Sequence, residues 1–203
     1  MGICYIVGAG ECEKLDFIKN EADLLIAADA GYKHILKNAM QPDIVIGDFD
    51  SLGETPDEKN VVKLSPIKDI TDMHAAVDEG IKRGYTEFHL YGACGGRIDH
   101  TLANIQLIAS LSQKGFFASI ADRERIITAI TDSEMCFDSS KKGFVSVFSH
   151  TDKSEGVFIN GLKYKLENAE LSNSFALGVS NEFIGEESVV SVKKGTLIII
   201  YSK

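Results

Sequence analysis

Two carboxylates two positions apart, Asp48 and Asp50, follow the β-branched run Ile44-Val45-Ile46. The run has no polar break, which predicts a strand buried on both faces, as in a parallel sheet. Gly47 lets the backbone turn sharply before the acids. Ligands of open α/β sheets lie outside the carboxyl ends of the strands, so the pair would stand at the mouth of such a site. Like charges this close repel unless a cation lies between them. Oxygen ligands at a strand end suit Mg²⁺, which takes one or two carboxylates plus substrate phosphates. The same residues also suit a plain turn in which Asp and Ser bond the local backbone. The spacing leaves both readings open.

A second group is Gly92-Ala93-Cys94-Gly95-Gly96-Arg97-Ile98-Asp99-His100-Thr101, between the strand Glu87-Phe88-His89-Leu90-Tyr91 and a helix running to about Gln113. Glycines between a strand and a helix let a phosphate approach the backbone, with N–H groups aimed at it. Arg97 adds a fork of donors suited to phosphate oxygens. Asp99 stands at the expected N-cap, and a carboxylate beside a phosphate cradle needs a cation or proton donor to join it. His100 reads as structural. A third group, Lys68-Asp69-Ile70-Thr71-Asp72, opens a helix that Asp69 or Thr71 can cap. Asp72 favours the helix dipole there or serves as a further carboxylate at the metal.

The elements that must position these groups come in α/β order. Ile3-Cys4-Tyr5-Ile6-Val7 predicts a strand, Gly8-Ala9-Gly10 a turn, residues 13–20 a helix, and Leu24-Leu25-Ile26-Ala27-Ala28 a strand ending on Asp29. This order superficially resembles a dinucleotide fingerprint, but Glu13 occupies the third glycine position and Glu11 and Glu13 would face a pyrophosphate with like charge. A helix over residues 30–39 carries Ile35, Leu36 and Ala39, and Pro42 ends it. Val61-Val62-Lys63-Leu64 suits a short strand. Ile70, Met73, Val77 and Ile81 make one face of the next helix, and Ile98, Leu102, Ile105 and Ala109 one face of the helix after Gly96. Phe117-Ala118-Ser119-Ile120-Ala121 closes the α/β part.

From Arg125 the period changes to short alternating runs punctuated by glycine: residues 126–130, 144–148, 157–159, 164–166, 189–192 and 197–201. This predicts a β-sandwich or jelly roll. The expected architecture is α/β, with a Rossmann-like, mostly parallel sheet domain over residues 1–123. A small all-β sandwich (jelly-roll-like) domain then covers residues 124–203.

A net charge of −9 over 203 residues, with no basic stripe, excludes a binder of nucleic-acid backbones. It leaves a nucleotide possible, since a divalent ion supplies positive charge locally. No apolar run reaches membrane-spanning length and no basic segment precedes an apolar one at the N-terminus. The expectation is therefore a cytoplasmic protein without membrane contact. Cys4, Cys12, Cys94 and Cys136 form no C-x-x-C pair and read as reduced thiols.

Taken together, the chain resembles the thiamine pyrophosphokinase family. The resemblance rests on Ala27-Ala28-Asp29, Gly47-Asp48-Phe49-Asp50-Ser51, Lys68-Asp69-Ile70-Thr71-Asp72, Gly92 with Gly95-Gly96-Arg97-Ile98-Asp99-His100, Asn104, Gly161-Leu162-Lys163-Tyr164 and Ser180-Asn181. It implies transfer of pyrophosphate from ATP to thiamine, giving AMP and thiamine diphosphate with Mg²⁺, by a homodimer whose active sites lie at the subunit interface. By the same resemblance Asp48, Asp50 and Asp72 look like the Mg²⁺ ligands. Asp99 lies close to metal and phosphates as a candidate to accept the hydroxyl proton. Gly92, Gly95, Gly96 and Arg97 would hold the triphosphate. Lys68 matches a nucleotide-contacting position, with Asp69 and Thr71 of the same motif on the ATP side, and Asn104 would face the phosphates. Tyr164 stands where some members have a tryptophan that stacks on thiamine. Ser180 and Asn181 look like polar contacts to thiamine from the partner subunit. The family often has glycine where this chain has Ala30, which leaves the role of Asp29 open.

Two rivals differ in kind. A haloacid-dehalogenase-type phosphohydrolase also has a strand ending in Asp-x-Asp, the first acid being the nucleophile, but has no place for the glycine-Arg97-Asp99 stretch or the β-sandwich. A non-catalytic nucleotide or thiamine sensor would not need several carboxylates converging on a metal.

Overall fold

Unbroken apolar runs form the centre of the first half. The computed structural model describes residues 2–49, 59–65 and 69–203; Asp50, Ser51 and Lys68 lie outside the described residues. In chain order the elements are β1 (Cys4–Val7), β2 (Leu24–Ala28), α1 (Gly31–Lys37), β3 (Ile44–Gly47), β4 (Val61–Lys63), α2 (Asp72–Lys82), β5 (Glu87–Tyr91) and α3 (Ile98–Gln113). They continue with β6 (Phe117–Asp122), β7 (Arg125–Thr131), β8 (Glu134–Phe137), β9 (Phe144–Ser149), β10 (Lys153–Asn160), β11 (Leu166–Ser172), β12 (Gly178–Glu182), β13 (Ser188–Ser191) and β14 (Thr196–Ser202). The chain divides into two units, one of residues 1–104 with 120–123 and the other of residues 105–119 with 124–203. The division passes through α3 and β6.

In the first unit, parallel strands pair in the order β5-β1-β2-β3-β4. β1, β2 and β3 are buried throughout, so neither face alternates with polar residues. One face packs Tyr5, Val7, Leu25, Ala27 and Val45 with Ile35 of α1 and with Phe49. On the other, α2 presents Met73, Ala76, Val77 and Gly80. A β-carbon at Gly80 would lie 2.7 Å from Phe88 and 2.9 Å from Cys4 Sγ, so glycine sets how closely helix and sheet approach. Burial pushes the Cys4 thiol up to about 12, and all four cysteines are free.

Four helical expectations need correction. Residues 13–20 contain no helix. Leu15 is buried, Phe17 stacks on Tyr5 at 3.9 Å and Ile18 faces outward, the period-two pattern of extended chain. In α1, Leu36 is exposed, and the buried positions are Gly31 and Ile35. In α3 the buried residues are Asn104, Leu107, Ile108, Ala109 and Leu111, whereas Ile98 is 85% and Leu102 58% exposed. Ile70 likewise precedes α2 and is exposed.

Between β1 and β2 the chain is pinned by Asp23, a buried carboxylate. Burial raises its proton affinity. Hydrogen bonds from Ile3 N (2.8 Å), Asn20 N (2.8 Å) and Asn20 Nδ2 (3.3 Å), with the charge of Lys19, outweigh that and hold it below its ordinary 3.8. A depressed carboxylate contributes stability that is full above the unfolded value and lost as pH falls through the folded one. Thermal melts are therefore expected to show a steep loss of stability below about pH 4 that Asp23→Asn makes shallower. Equal acid slopes would contradict this role.

The second unit holds two antiparallel sheets, β12-β9-β14-β7 and β11-β10-β13-β8. β9 and β13 alternate buried and less buried residues. Their inward side chains join one apolar core with Ile130, Phe137, Val157, Ile159, Leu171, Leu197 and Ile199. Expected strands are present, with two additions, β8 and β12. Tyr164, expected in a strand, lies in a bend before β11.

Candidate active site

Strand order reverses between β1 and β5: successive strands run outward from β1 to β4, and β5 returns on its other side. Open sheets place ligands at the carboxyl ends beside such a reversal. A cavity of about 760 Å³ lies there, lined by Gly8 to Glu11 after β1, Ala28 and Asp29 after β2, and the residues after β5. Its size suits a nucleotide-sized ligand.

The two glycine segments lock together. Gly8 N donates to Tyr91 O, Gly10 N to Gly92 O and Glu11 N to Cys94 O, each at 2.8 Å. A β-carbon at Gly92 would lie 2.4 Å from Gly8 O, and one at Gly10 2.4 Å from Cys94 O. Gly92 and Gly96 have φ of +57° and +66°, and space around Gly96 is open. Asn104, 5% exposed, donates through Nδ2 to Ala93 O at 2.7 Å, so α3 braces the glycine segment from below.

Of the sequence-predicted residues, Thr71, Asp72, Gly92, Gly95, Gly96, Arg97 and Asn104 line this cavity. Thr71 is the N-cap of α2, accepting from His74 N at 3.2 Å, which places Asp72 in the first turn. Asp69 is exposed and does not line the cavity. Asp48 directly follows β3 at the carboxyl edge, outside the cavity lining. Asp99 is also outside the lining, but its carboxylate takes both arms of Arg97, Nε to Oδ1 at 3.2 Å and Nη2 to Oδ2 at 2.5 Å. That pairing holds Asp99 below the usual carboxylate range and raises Arg97. Among the described residues no group of three or more His, Cys, Asp or Glu side chains could hold a metal by itself.

Sequence reasoning missed Gly8, Gly10, Glu11, His34 and His100 as lining residues. The strand-end position of Gly8-Ala9-Gly10 was the available signal. Glu11, expected to oppose phosphate, is paired with Arg123, which neutralises it. His34 Nε2 is 2.9 Å from Gly10 O, tying α1 to the loop. Ala30 has φ −64°, so no glycine is required there.

In the second unit, Tyr164 is 58% exposed, with Lys163 Nζ 5.5 Å from its ring centre. Asn181, 4% exposed, accepts from Tyr164 N at 2.9 Å and donates to Tyr164 O at 2.7 Å. It also accepts from Glu182 N at 2.9 Å. Its amide thus fixes the backbone that carries Tyr164. Ser180 is exposed, has φ +58°, and donates its N–H to Ser146 Oγ at 3.0 Å.

Comparison with known proteins adds the family. Residues 15–118 match the family model described as thiamin pyrophosphokinase, catalytic domain. Residues 133–197 match that of the thiamin pyrophosphokinase, vitamin B1 binding domain. A thiamine pyrophosphokinase of Bacillus subtilis (strain 168) is 28% identical over 191 residues, 90% of this chain and 89% of that protein. The crystal structure of thiamine pyrophosphokinase from Bacillus subtilis superposes with a TM-score of 0.88 at 26% identity, covering 100% of this chain and 99% of the other. That of thiamin pyrophosphokinase from Geobacillus thermodenitrificans gives 0.84 at 28% identity, covering 99% and 97%. With both domain models matched in order along one chain, this protein belongs to the thiamine pyrophosphokinase family and is an enzyme of thiamine diphosphorylation.

Proposed function

We propose that the chain transfers the pyrophosphoryl group of ATP to the hydroxyl of thiamine, releasing AMP and thiamine diphosphate. The observation that carries this reading is the cavity at the strand reversal, framed by interlocked glycine segments, Arg97 and Asp72. We read the parallel sheet as a Rossmann-like platform, with residues 1–123 serving the nucleotide and residues 124–203 serving thiamine and dimerisation. The thiamine hydroxyl oxygen attacks the β-phosphorus, the bond from that phosphorus to the α–β bridging oxygen breaks, and AMP leaves with that oxygen. Little covalent work falls to the protein beyond positioning and charge stabilisation.

Gly92, Gly95, Gly96 and Arg97 hold the phosphates, with Lys68, Asp69, Thr71 and Asn104 completing the nucleotide side. Asp99 accepts the hydroxyl proton. While paired with Arg97 it is a weak base; once the guanidinium turns to phosphate oxygens, its affinity for a proton rises. The oxygen-only donors Asp48, Asp50 and Asp72 suit Mg²⁺, which needs no three-residue protein cage because phosphates and water complete its shell. When bound, that ion neutralises charge developing on the phosphates.

Tyr164 offers an aromatic face to the thiamine cation, Ser180 a polar contact, and Asn181 the support that orients Tyr164. Tyr164→Ala is expected to raise KM for thiamine about tenfold and leave that for ATP within about twofold. A change confined to the ATP value would assign Tyr164 to the sheet alone. Large exposed apolar side chains on each unit, Ile98 and Leu102 on the first and Phe144, Phe175 and Leu177 on the second, support a second copy as partner. The cytoplasm, where ATP, Mg²⁺ and reduced thiols coexist, is the compartment we assign. No helix among the described residues is long and apolar enough to cross a membrane.

Nucleotide consumption measured with and without thiamine tests the reading against its rivals. Strict thiamine dependence is expected. Phosphate release without thiamine would favour a phosphohydrolase, and binding of both ligands without turnover a sensor.

A further inference from the structure

We propose that the Asp29 carboxylate is the acceptor that reads the ribose hydroxyls of the nucleotide donor. The inference rests on the cavity being a nucleotide site, and adds to it the group that selects the sugar. Asp29 directly follows β2 and lines the cavity. Its φ is +50°, in the left-handed region that non-glycine residues seldom adopt. Neighbours hold it there: Asp29 N donates to Ile46 O at 2.8 Å, and Tyr32 N donates to Asp29 O at 3.2 Å. Strain kept in place by surrounding structure is concentrated at ligand sites.

The side chain is a second, independent observation. Asp29 Oδ1 is buried and has no hydrogen-bond partner among the described residues. An unsatisfied buried carboxylate oxygen is costly and calls for a donor. Two other carboxylates near these strands are satisfied within the protein: Asp23 takes hydrogen bonds from Ile3 N and Asn20 N, and Asp43 from Leu25 N and Lys19 Nζ. The contrast marks Asp29 as satisfied by something that enters the cavity.

Chemistry narrows what enters. An ionised carboxylate only accepts, so the ligand must bring O–H or N–H groups. Phosphate oxygens carry none at neutral pH and are repelled. They belong instead near Arg97 and Gly95-Gly96, on the segment after β5. Of the parts of a nucleoside triphosphate, the sugar supplies adjacent hydroxyls. An acid after the second strand of a parallel sheet is positioned to take them. No helix follows Gly8-Ala9-Gly10 here, so this acid acts without the helix N-terminus that usually holds a pyrophosphate beside it.

The test is calorimetric binding of ATP, 2′-deoxy-ATP and 3′-deoxy-ATP, each with Mg²⁺, to the full chain and to Asp29→Gly. Glycine takes the φ of +50° without strain. The unsubstituted chain is expected to bind ATP about tenfold or more tighter than at least one deoxy analogue. In Asp29→Gly the three affinities converge to within about twofold. Asp29→Asn, which keeps an oxygen acceptor without the charge, is expected to give an intermediate ratio and carries the test if the glycine variant does not fold. A structural role alone would weaken all three nucleotides equally. Undiminished discrimination in the variants, or none in the unsubstituted chain, overturns the assignment. Failure of the unsubstituted chain to bind ATP at all would instead overturn the nucleotide reading of the cavity.

Discussion

Gly92→Ala is expected to cost about 3 kcal/mol or more and to abolish turnover. The new methyl carbon would sit 2.4 Å from Gly8 O and 3.1 Å from Gly8 C, with φ at +57°. The partner is backbone, so no side chain can swing away. Relief requires breaking the bonds Gly8 N to Tyr91 O and Gly10 N to Gly92 O, which fasten the two loops that frame the cavity. Gly96→Ala is the control. It has a similar φ of +66° but nothing within 4 Å of the added carbon, so it pays about 1–2 kcal/mol of conformational strain and no clash. Thermal melts of both variants check the claim. Equal effects would mean that conformation rather than interlocking decides this loop.

Asp72→Asn is expected to lower kcat/KM by about a hundredfold or more with only a small change in stability. Asp72 opens α2 behind the Thr71 cap and lines the cavity. The amide keeps the shape and loses the charge that we assign to holding Mg²⁺. Losing a first-turn acid costs the helix about 0.3–1 kcal/mol, so the melting temperature should fall by a few degrees at most. Raising Mg²⁺ should recover part of the activity. Unchanged turnover in this variant would remove Asp72 from the metal set. A large loss of stability would show that its work is structural.

Much of this was legible in the residues. β1, β2 and β3 were plain because a strand buried on both faces shows as an unbroken apolar run. β8 and β12 were not, since Glu134 and the Gly178-Val179-Ser180-Asn181-Glu182 segment are largely polar. Each strand stands at the end of its strand order, where one neighbour supplies the pairing. Residues 13–20 misled because Leu15, Phe17 and Ile18 admit a helical period as well as an extended one, and stacking on Tyr5 decides it. The cavity was half visible. Asp72, the glycines and Arg97 were found by type and spacing, and Thr71 and Asn104 through the family resemblance. Gly8, Gly10 and His34 join them only because β1 lies beside β5, a pairing across more than eighty positions that local pattern does not encode. Asn181 was expected to touch ligand; that its buried amide braces the Tyr164 backbone, a contact across 17 positions, was not legible in the sequence.

The most direct test of the central claim is a product analysis of the purified chain with ATP, Mg²⁺ and thiamine, resolving AMP from ADP and thiamine diphosphate from the monophosphate. Attack at the β-phosphorus predicts AMP and thiamine diphosphate in equal amounts, both dependent on thiamine. ADP with thiamine monophosphate would contradict it, placing the attack on the γ-phosphorus.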